Sequence, residues 1–113
     1  MLSFECDYNR GAHEKVLGHL IETNLEPLPG YGSDKYTEIA KEKIKAECKK
    51  EDVEVHFLNG GTQTNQIVID SMLTKYEGVI SADTGHINCH EAGAIEFTGH
   101  KVLSIPHKDG KLE

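Results

Sequence analysis

A glycine pair, Gly60-Gly61, lies between a segment typical of a β-strand and a segment typical of a helix. Residues 53 to 57 alternate apolar and polar side chains, which is the period-two pattern of a strand. Residues 62 to 76 are apolar over an arc too wide for a surface helix, so we expect a largely buried helix there. A strand, a glycine turn and a helix in this order favour an α/β fold. The first turn of such a helix has unpaired N–H groups and the positive end of the helix dipole, which can hold a phosphate.

The same turn has an ordinary interpretation. No Gly-Lys-Ser/Thr follows Gly60-Gly61-Thr62, and the spacing is not that of the Gly-x-Gly-x-x-Gly dinucleotide fingerprint. Glycine also serves in simple strand-to-helix turns, where it supplies unusual dihedral angles and a hydroxyl caps the helix. From the spacing alone, a phosphate site and a plain turn both remain open.

The rest of the chain continues the alternation of helices and strands. Amphipathic patterns predict helices over residues 13 to 24 and from Asp34 to about Cys48, separated by a loop rich in proline and glycine. Val79-Ile80 begin a second strand, and residues 101 to 105 form a third before Pro106. Strands that alternate with helices predict a parallel sheet, whose ligands bind at the carboxyl ends of the strands.

His86 follows the second predicted strand and comes directly after Asp83-Thr84-Gly85. Its ring could lie flat against a heteroaromatic cofactor, or it could be merely solvated or hydrogen-bonded. Asp83 could orient this ring, or could simply cap a strand end. A metal interpretation is also open for the nearby side chains of ligand type, although their spacing fits poorly and we assign no metal ligands. These side chains are His86, Cys89, His90, Glu91, Glu96 and His100.

Length and charge narrow the classes of function. A chain of 113 residues is long enough for one domain with one core. Its formal charge of -7 argues against nucleic acid and anionic membranes as partners. Three cysteines without a repeated spacing do not indicate a disulfide framework, and no signal peptide or membrane span is visible. We therefore expect a cytoplasmic protein.

Several blocks, in order along the whole chain, are similar to the low-specificity threonine aldolases, within the wider group of β-eliminating lyases that depend on pyridoxal phosphate. The order of the blocks is far more specific than any one of them. They are Asp7-Tyr8 with Gly11-Ala12-His13, Pro29-Gly30-Tyr31-Gly32-x-Asp34, Phe57-Leu58-x-Gly60-Gly61-Thr62-Gln63-Thr64-Asn65, Ala82-Asp83-Thr84-Gly85-His86-Ile87-Asn88, His90-Glu91-x-Gly93-Ala94, Thr98-Gly99-His100-Lys101 and Asp109-Gly110-Lys111-Leu112.

The resemblance implies a pyridoxal 5'-phosphate site. By this resemblance Gly60, Gly61 and Thr62 hold the phosphate group, and His86 stacks on the pyridine ring. Glu91 belongs to the catalytic pocket with His86.

For the substrate, the resemblance implies two further residues. By the resemblance, Tyr31 reaches an active site, that of a partner subunit, and the segment at Asp7 helps to hold the substrate carboxylate. Cys6 and Glu14 depart from the residues that the family usually has at these places, a serine or asparagine and a proline. We expect a small amino acid as substrate and a homo-oligomer as the full-length form.

The resemblance implies a lyase that cleaves the Cα–Cβ bond of a β-hydroxy amino acid to glycine and an aldehyde. Its fold is type I of the pyridoxal phosphate enzymes, a three-layer α/β domain with a mostly parallel sheet. We expect residues 1 to 113 to be the N-terminal part of this large domain. In the family the Schiff-base lysine lies further along the sequence, so we expect the isolated chain to be inactive. The alternative is a non-catalytic α/β module that binds phosphate or metal.

Overall fold

The computed structural model describes residue 6 and residues 8 to 112, which form two compact units. The first unit ends at Val55 and the second begins at His56.

The first unit contains two helices, α1 (Glu14–Thr23) and α2 (Lys35–Cys48). The predictions of helices over residues 13 to 24 and 34 to 48 are thereby confirmed. Asp34 is the N-cap of α2: its side chain accepts hydrogen bonds from the N–H groups of Tyr36 and Thr37, both at 2.9 Å. These bonds, together with one from the Thr37 hydroxyl, lower the pKa of Asp34.

Glu26, in the loop between these helices, is bonded to the first two residues of α2. The carboxylate of Glu26 accepts a hydrogen bond from the Tyr36 hydroxyl at 3.0 Å and pairs with the Lys35 ammonium at 2.7 Å. Lys35 and Tyr36 together lower the pKa of Glu26, the lysine contributing most.

The second unit has the order α3 (Gly60–Met72), β1 (Gly78–Ala82), α4 (His86–Cys89), α5 (Ala94–Phe97) and β2 (Lys101–Ile105). The strands β1 and β2 pair in parallel, in a register that runs from Gly78 opposite Lys101 to Ala82 opposite Ile105. The short helices α4 and α5 lie between these strands in sequence and pack on them, and α3 packs on α5. Ile95 of α5 is fully buried and Val102 of β2 nearly so, and these two form the apolar centre of the unit.

Two predictions about the glycine turn are wrong. Residues 53 to 57 form no strand: within residues 8 to 112 the only sheet is the β1–β2 pair, so this segment has no neighbouring strand to complete a ladder. Helix α3 is shorter than predicted and is not largely buried: it has no buried residue, and its most extensive packing is on the small helix α5. In contrast, the strands at Val79-Ile80 and at residues 101 to 105 are confirmed.

Over residue 6 and residues 8 to 112, no helix is both long and apolar enough to cross a membrane.

Candidate functional site

Helix α3 begins at the glycine turn without help from a capping side chain. The side chain of Asn59, the residue before the helix, makes no capping bond, and its N–H donates to Oε1 of Gln63 at 2.8 Å. The N–H of Gly60 donates to a carbonyl two residues back, at 3.1 Å. In the described part of the chain no acceptor is paired with the N–H groups of Gly61 and Thr62. These two donors, at the positive end of a helix of 13 residues, are open to an anion.

The backbone at this turn is also open to an approaching group. Gly60 has a φ of 81°, in the left-handed region that favours glycine. A Cβ built on Gly60 or Gly61 would meet no atom within 4 Å outside the adjoining backbone. The close approach of a ligand to these N–H groups is therefore not hindered by side chains.

His86 is the first residue of α4, and three residues separate it from the end of β1. The residue before it must be small: a Cβ on Gly85 would lie 2.1 Å from the hydroxyl oxygen of Ser81 and 3.0 Å from the carbonyl oxygen of Ala82. The turn into α4 is thus packed tightly against β1. The side chain of His86 itself is 64% exposed, which leaves its ring accessible.

Glu91 is a buried carboxylate that is hydrogen-bonded to a nitrogen of this ring. Its side chain has 0% exposure. Oε1 accepts a hydrogen bond from Nδ1 of His86 at 2.8 Å and another from Nδ2 of Asn65 at 2.6 Å. Oε2 is buried and has no hydrogen-bond partner among the residues that the structure describes. A buried carboxylate oxygen without a hydrogen-bond partner costs free energy.

The hydrogen bonds of Glu91 bring the two predicted parts of the site together. Asn65 is four residues beyond Gly61 on α3, roughly 6 Å along the helix axis. Through Asn65 and Glu91, the ring of His86 is held close to the first turns of α3. Asn65 is not among the predicted site residues, although it stands in the same sequence block as the glycine turn, three residues after Thr62.

A second histidine and carboxylate pair stands at the carboxyl ends of the strands. Nδ1 of His107 lies 2.5 Å from Oδ1 of Asp83, and this hydrogen bond lowers the pKa of Asp83. The carbonyl of Asp83 accepts bonds from the side chains of Asn88 and Cys89, each at 2.9 Å. Asp83 thus ties α4 and the chain after β2 to the end of β1. Its carboxylate is paired with His107, and His86 is paired with Glu91.

The side chains of ligand type do not converge on one point. Within the described ranges, no group of three or more His, Cys, Asp or Glu side chains is placed to hold a metal ion. His100 is buried and has both ring nitrogens in use, Nδ1 with the carbonyl of Glu77 at 3.2 Å and Nε2 with Oδ1 of Asp70 at 3.1 Å. It joins α3 to the segment before β1, which is a structural role.

Of the two predicted substrate-binding residues, only Tyr31 is among those that the structure describes, and it belongs to the first unit. Tyr31 lies in the turn between α1 and α2, with its side chain fully exposed and a φ of 60°. Asp7 lies outside the described residues. Their roles stay predictions.

Comparisons with known proteins place this geometry in context. Two curated relatives are low-specificity L-threonine aldolases: one from a Pseudomonas species is 34% identical over 111 residues, and one from Pseudomonas aeruginosa is 30% identical over 111 residues. Each alignment covers 96% of this chain and 32% of the relative. The chain is related to the threonine aldolases. It spans about a third of the length of these relatives.

The fold of this chain is also similar to that of a solved threonine aldolase structure. The threonine aldolase of Leishmania major matches with a TM-score of 0.88 and 44% sequence identity, over 93% of this chain and 31% of that one. The predicted fold class, an α/β domain of the type I pyridoxal phosphate enzymes, is confirmed by this match. No protein-family profile matches the chain.

Proposed function

We propose that this chain forms the phosphate-binding and ring-binding part of a pyridoxal-phosphate-dependent lyase. The observation that carries the proposal is the hydrogen-bonded connection from Asn65 through Glu91 to His86, which keeps an accessible aromatic ring close to a helix start with open N–H groups. The relationship to threonine aldolases supports the same conclusion.

The residues at the start of α3 fit the phosphate group of pyridoxal phosphate. The N–H groups of Gly61 and Thr62 are open donors, and the two glycines leave the space that a phosphate needs. In this proposal the backbone of Gly60, Gly61 and Thr62 binds the phosphate, assisted by the helix dipole.

The ring of His86 fits the pyridine ring of the cofactor. It is accessible, and its orientation is restrained because Nδ1 is bonded to a carboxylate that cannot turn toward solvent. His86 therefore stacks on the cofactor, and Glu91 holds it there. Offset stacking of aromatic rings contributes about 0.5 to 1.5 kcal/mol beyond the burial of area.

The reaction that we propose is the cleavage of the Cα–Cβ bond of a β-hydroxy amino acid to give glycine and an aldehyde. Pyridoxal phosphate, when bound, supplies the electron sink for the pair of electrons left on Cα. The residues of this chain bind and orient the cofactor, and Tyr31 and Asp7 stay candidates for contacts with the substrate. A homo-oligomer and a cytoplasmic location belong to the same proposal.

The binding proposal is tested by equilibrium dialysis of pyridoxal phosphate against the chain, with inorganic phosphate as competitor. We expect saturable binding that phosphate weakens, a loss of about twofold to tenfold in affinity for His86→Ala, and little change for His86→Phe, which keeps an aromatic face. His19→Ala is the matched control, because His19 is an exposed histidine of α1. Equal affinity of His86→Ala and the wild type would contradict the proposal. Saturable binding of zinc ions without binding of pyridoxal phosphate would favour the non-catalytic module.

The covalent lysine is a separate question. We propose that none of the eleven lysines of this sequence performs that role, so that the chain alone binds the cofactor without turnover. Reduction with borohydride in the presence of pyridoxal phosphate, followed by peptide mass mapping, tests this. Modification of one defined lysine in stoichiometric yield would show that the proposal is wrong, whereas weak, scattered labelling is the expected result.

A further inference from the structure

We infer that Asn65 is a positioning residue for His86, acting through Glu91 to fix the ring in the form that has its hydrogen on Nδ1. Asn65 does not contact His86. It donates from Nδ2 to Oε1 of Glu91 at 2.6 Å, and the same oxygen accepts from Nδ1 of His86 at 2.8 Å.

The form of the ring follows from the role of Oε1 of Glu91. This oxygen accepts a hydrogen bond from Asn65, and when it accepts from His86 as well, Nδ1 of the ring carries the hydrogen. In a neutral ring with its hydrogen on Nδ1, Nε2 has a free lone pair. The exposed side of His86 therefore presents an acceptor, and the buried side presents a donor.

Asn65 decides which oxygen of Glu91 meets the histidine. Glu91 has 0% side-chain exposure, so no solvent holds its carboxylate in place. Oε2 makes no hydrogen bond to any described residue, and the two bonds to Oε1 are the only ones that orient the group. His86 donates one of these bonds from α4, an exposed helix of four residues, and Asn65 donates the other from α3, a helix of 13 residues. We expect the longer helix to hold its donor more rigidly in place.

The backbone around Glu91 makes this support necessary. The two residues that follow, Ala92 and Gly93, have φ values of 50° and 76°, in the left-handed region. A non-glycine residue in that region is strained and persists only when its surroundings hold it. The bond from Asn65 to Glu91 is one such restraint, because it crosses 26 residues of sequence.

Any effect of Asn65 on the binding of pyridoxal phosphate rests on the proposed function. The tautomer of His86, in contrast, can be measured without the cofactor. Nuclear magnetic resonance of the 15N-labelled chain distinguishes a protonated from an unprotonated ring nitrogen, at about pH 8.5, where exposed histidines are neutral. We expect His86 of the wild type to be protonated at Nδ1 and not at Nε2.

Two variants and one matched control test the role of Asn65. Asn65→Ala removes the donor, and Asn65→Leu removes it at nearly constant volume. In both we expect the Nε2-protonated form to rise from a minor species to at least half of the population. Gln66→Ala is the control, because Gln66 is the next residue of α3 and donates to the carbonyl of Ala94 at 3.1 Å, away from Glu91. It should leave the ring in its wild-type form.

The role of Asn65 can be tested whether or not the chain binds pyridoxal phosphate. A wild-type His86 protonated at Nε2, or Asn65 variants whose ring is unchanged, would overturn the inference even if pyridoxal phosphate binds. If Asn65→Ala does not fold, Asn65→Leu and the wild-type spectrum decide. A change of form in both Asn65 variants but not in Gln66→Ala supports the inference, also in a chain that fails to bind pyridoxal phosphate. If the cofactor binds, we expect a loss of affinity on the order of tenfold in Asn65→Leu.

Discussion

Nδ1 of His86 and Oε1 of Glu91 lie 2.8 Å apart, and they join an accessible ring to a carboxylate that solvent does not reach. Pairs of this kind restrain a ring without covering its outer face. The two residues are five apart in sequence, on either side of the end of α4. Their geometry depends on α3 as well, because Asn65 donates a second hydrogen bond to the same oxygen of Glu91.

Replacement of Glu91 by alanine should destabilise the chain. The change leaves the amide of Asn65 without its acceptor in a partly buried place, and an unsatisfied buried donor costs about 1 to 3 kcal/mol. His86 is exposed and can return to water, so it adds little. Urea denaturation followed by circular dichroism measures the free energy of unfolding. Glu91→Gln is the control of equal volume, for which we expect a smaller loss, and an alanine variant as stable as the wild type would contradict this account.

Replacement of Gly85 by alanine should disturb the turn into α4. The added Cβ would lie 2.1 Å from the hydroxyl oxygen of Ser81, so the two cannot coexist without movement. Overpacking of this kind costs about 1 to 3 kcal/mol. The double variant with Ser81→Ala should recover part of the loss, since the contact with the carbonyl of Ala82 at 3.0 Å remains.

Gly18→Ala is the matched control for this prediction. Gly18 lies within α1, where a Cβ would meet nothing within 4 Å. Alanine has the higher helix propensity, so we expect a gain of roughly 0.5 to 1 kcal/mol. The same loss for Gly85→Ala with and without Ser81→Ala would show that the clash with the hydroxyl is not its cause.

The elements that sequence predicts best are those whose signals are local. Asp34 stands at a helix start and caps α2, and Pro106 follows directly on β2 as a strand stop. The segment at residues 53 to 57 has the alternation of a strand and yet forms none. A strand needs a neighbour to bond with, and alternation along one segment carries no information about the neighbour.

In the candidate site, too, the contacts between residues distant in sequence are not predicted from local patterns. The glycine turn and His86 are recognisable from their sequence blocks, but the role of Asn65 is visible only when α3 and Glu91 are seen together, 26 residues apart in sequence. For Asp83 the sequence leaves two roles open, orienting His86 or capping a strand end, and the partner of its carboxylate in the structure is His107. Contacts between distant residues decide both cases, and local patterns do not encode them.

Replacement of His100 by alanine should be among the more damaging changes. The ring is buried, and it bonds to the carbonyl of Glu77 and to the carboxylate of Asp70. Loss of both bonds and of the ring volume should lower the free energy of unfolding by about 2 to 4 kcal/mol. His19→Ala, at a histidine with 81% exposure, should change it by less than about 0.5 kcal/mol. Equal effects of the two substitutions would refute the structural role of His100.

The pair of Asp83 and His107 predicts a defined loss of stability in acid. The hydrogen bond from His107 lowers the pKa of Asp83 below its usual value of about 3.9. A carboxyl group whose pKa is lower in the folded state stabilises the fold at pH values above its usual pKa. This contribution falls away as the pH drops through the folded-state value, because protonation removes the charge that the bond favours. Asp83→Asn, which cannot ionise, removes the contribution at every pH.

The measurement compares the free energies of unfolding of the wild type and Asp83→Asn between about pH 6 and pH 2.5. We expect the wild type to be more stable above about pH 5, and the difference to shrink below about pH 4. Glu26 and Glu77 also have lowered pKa values, through Lys35 and the N–H of Thr74, so both proteins lose further stability in acid. Only the difference between them reports on Asp83. A difference that stays constant down to the lowest pH would mean that the ionisation of Asp83 contributes nothing to holding β1, α4 and the segment after β2 together.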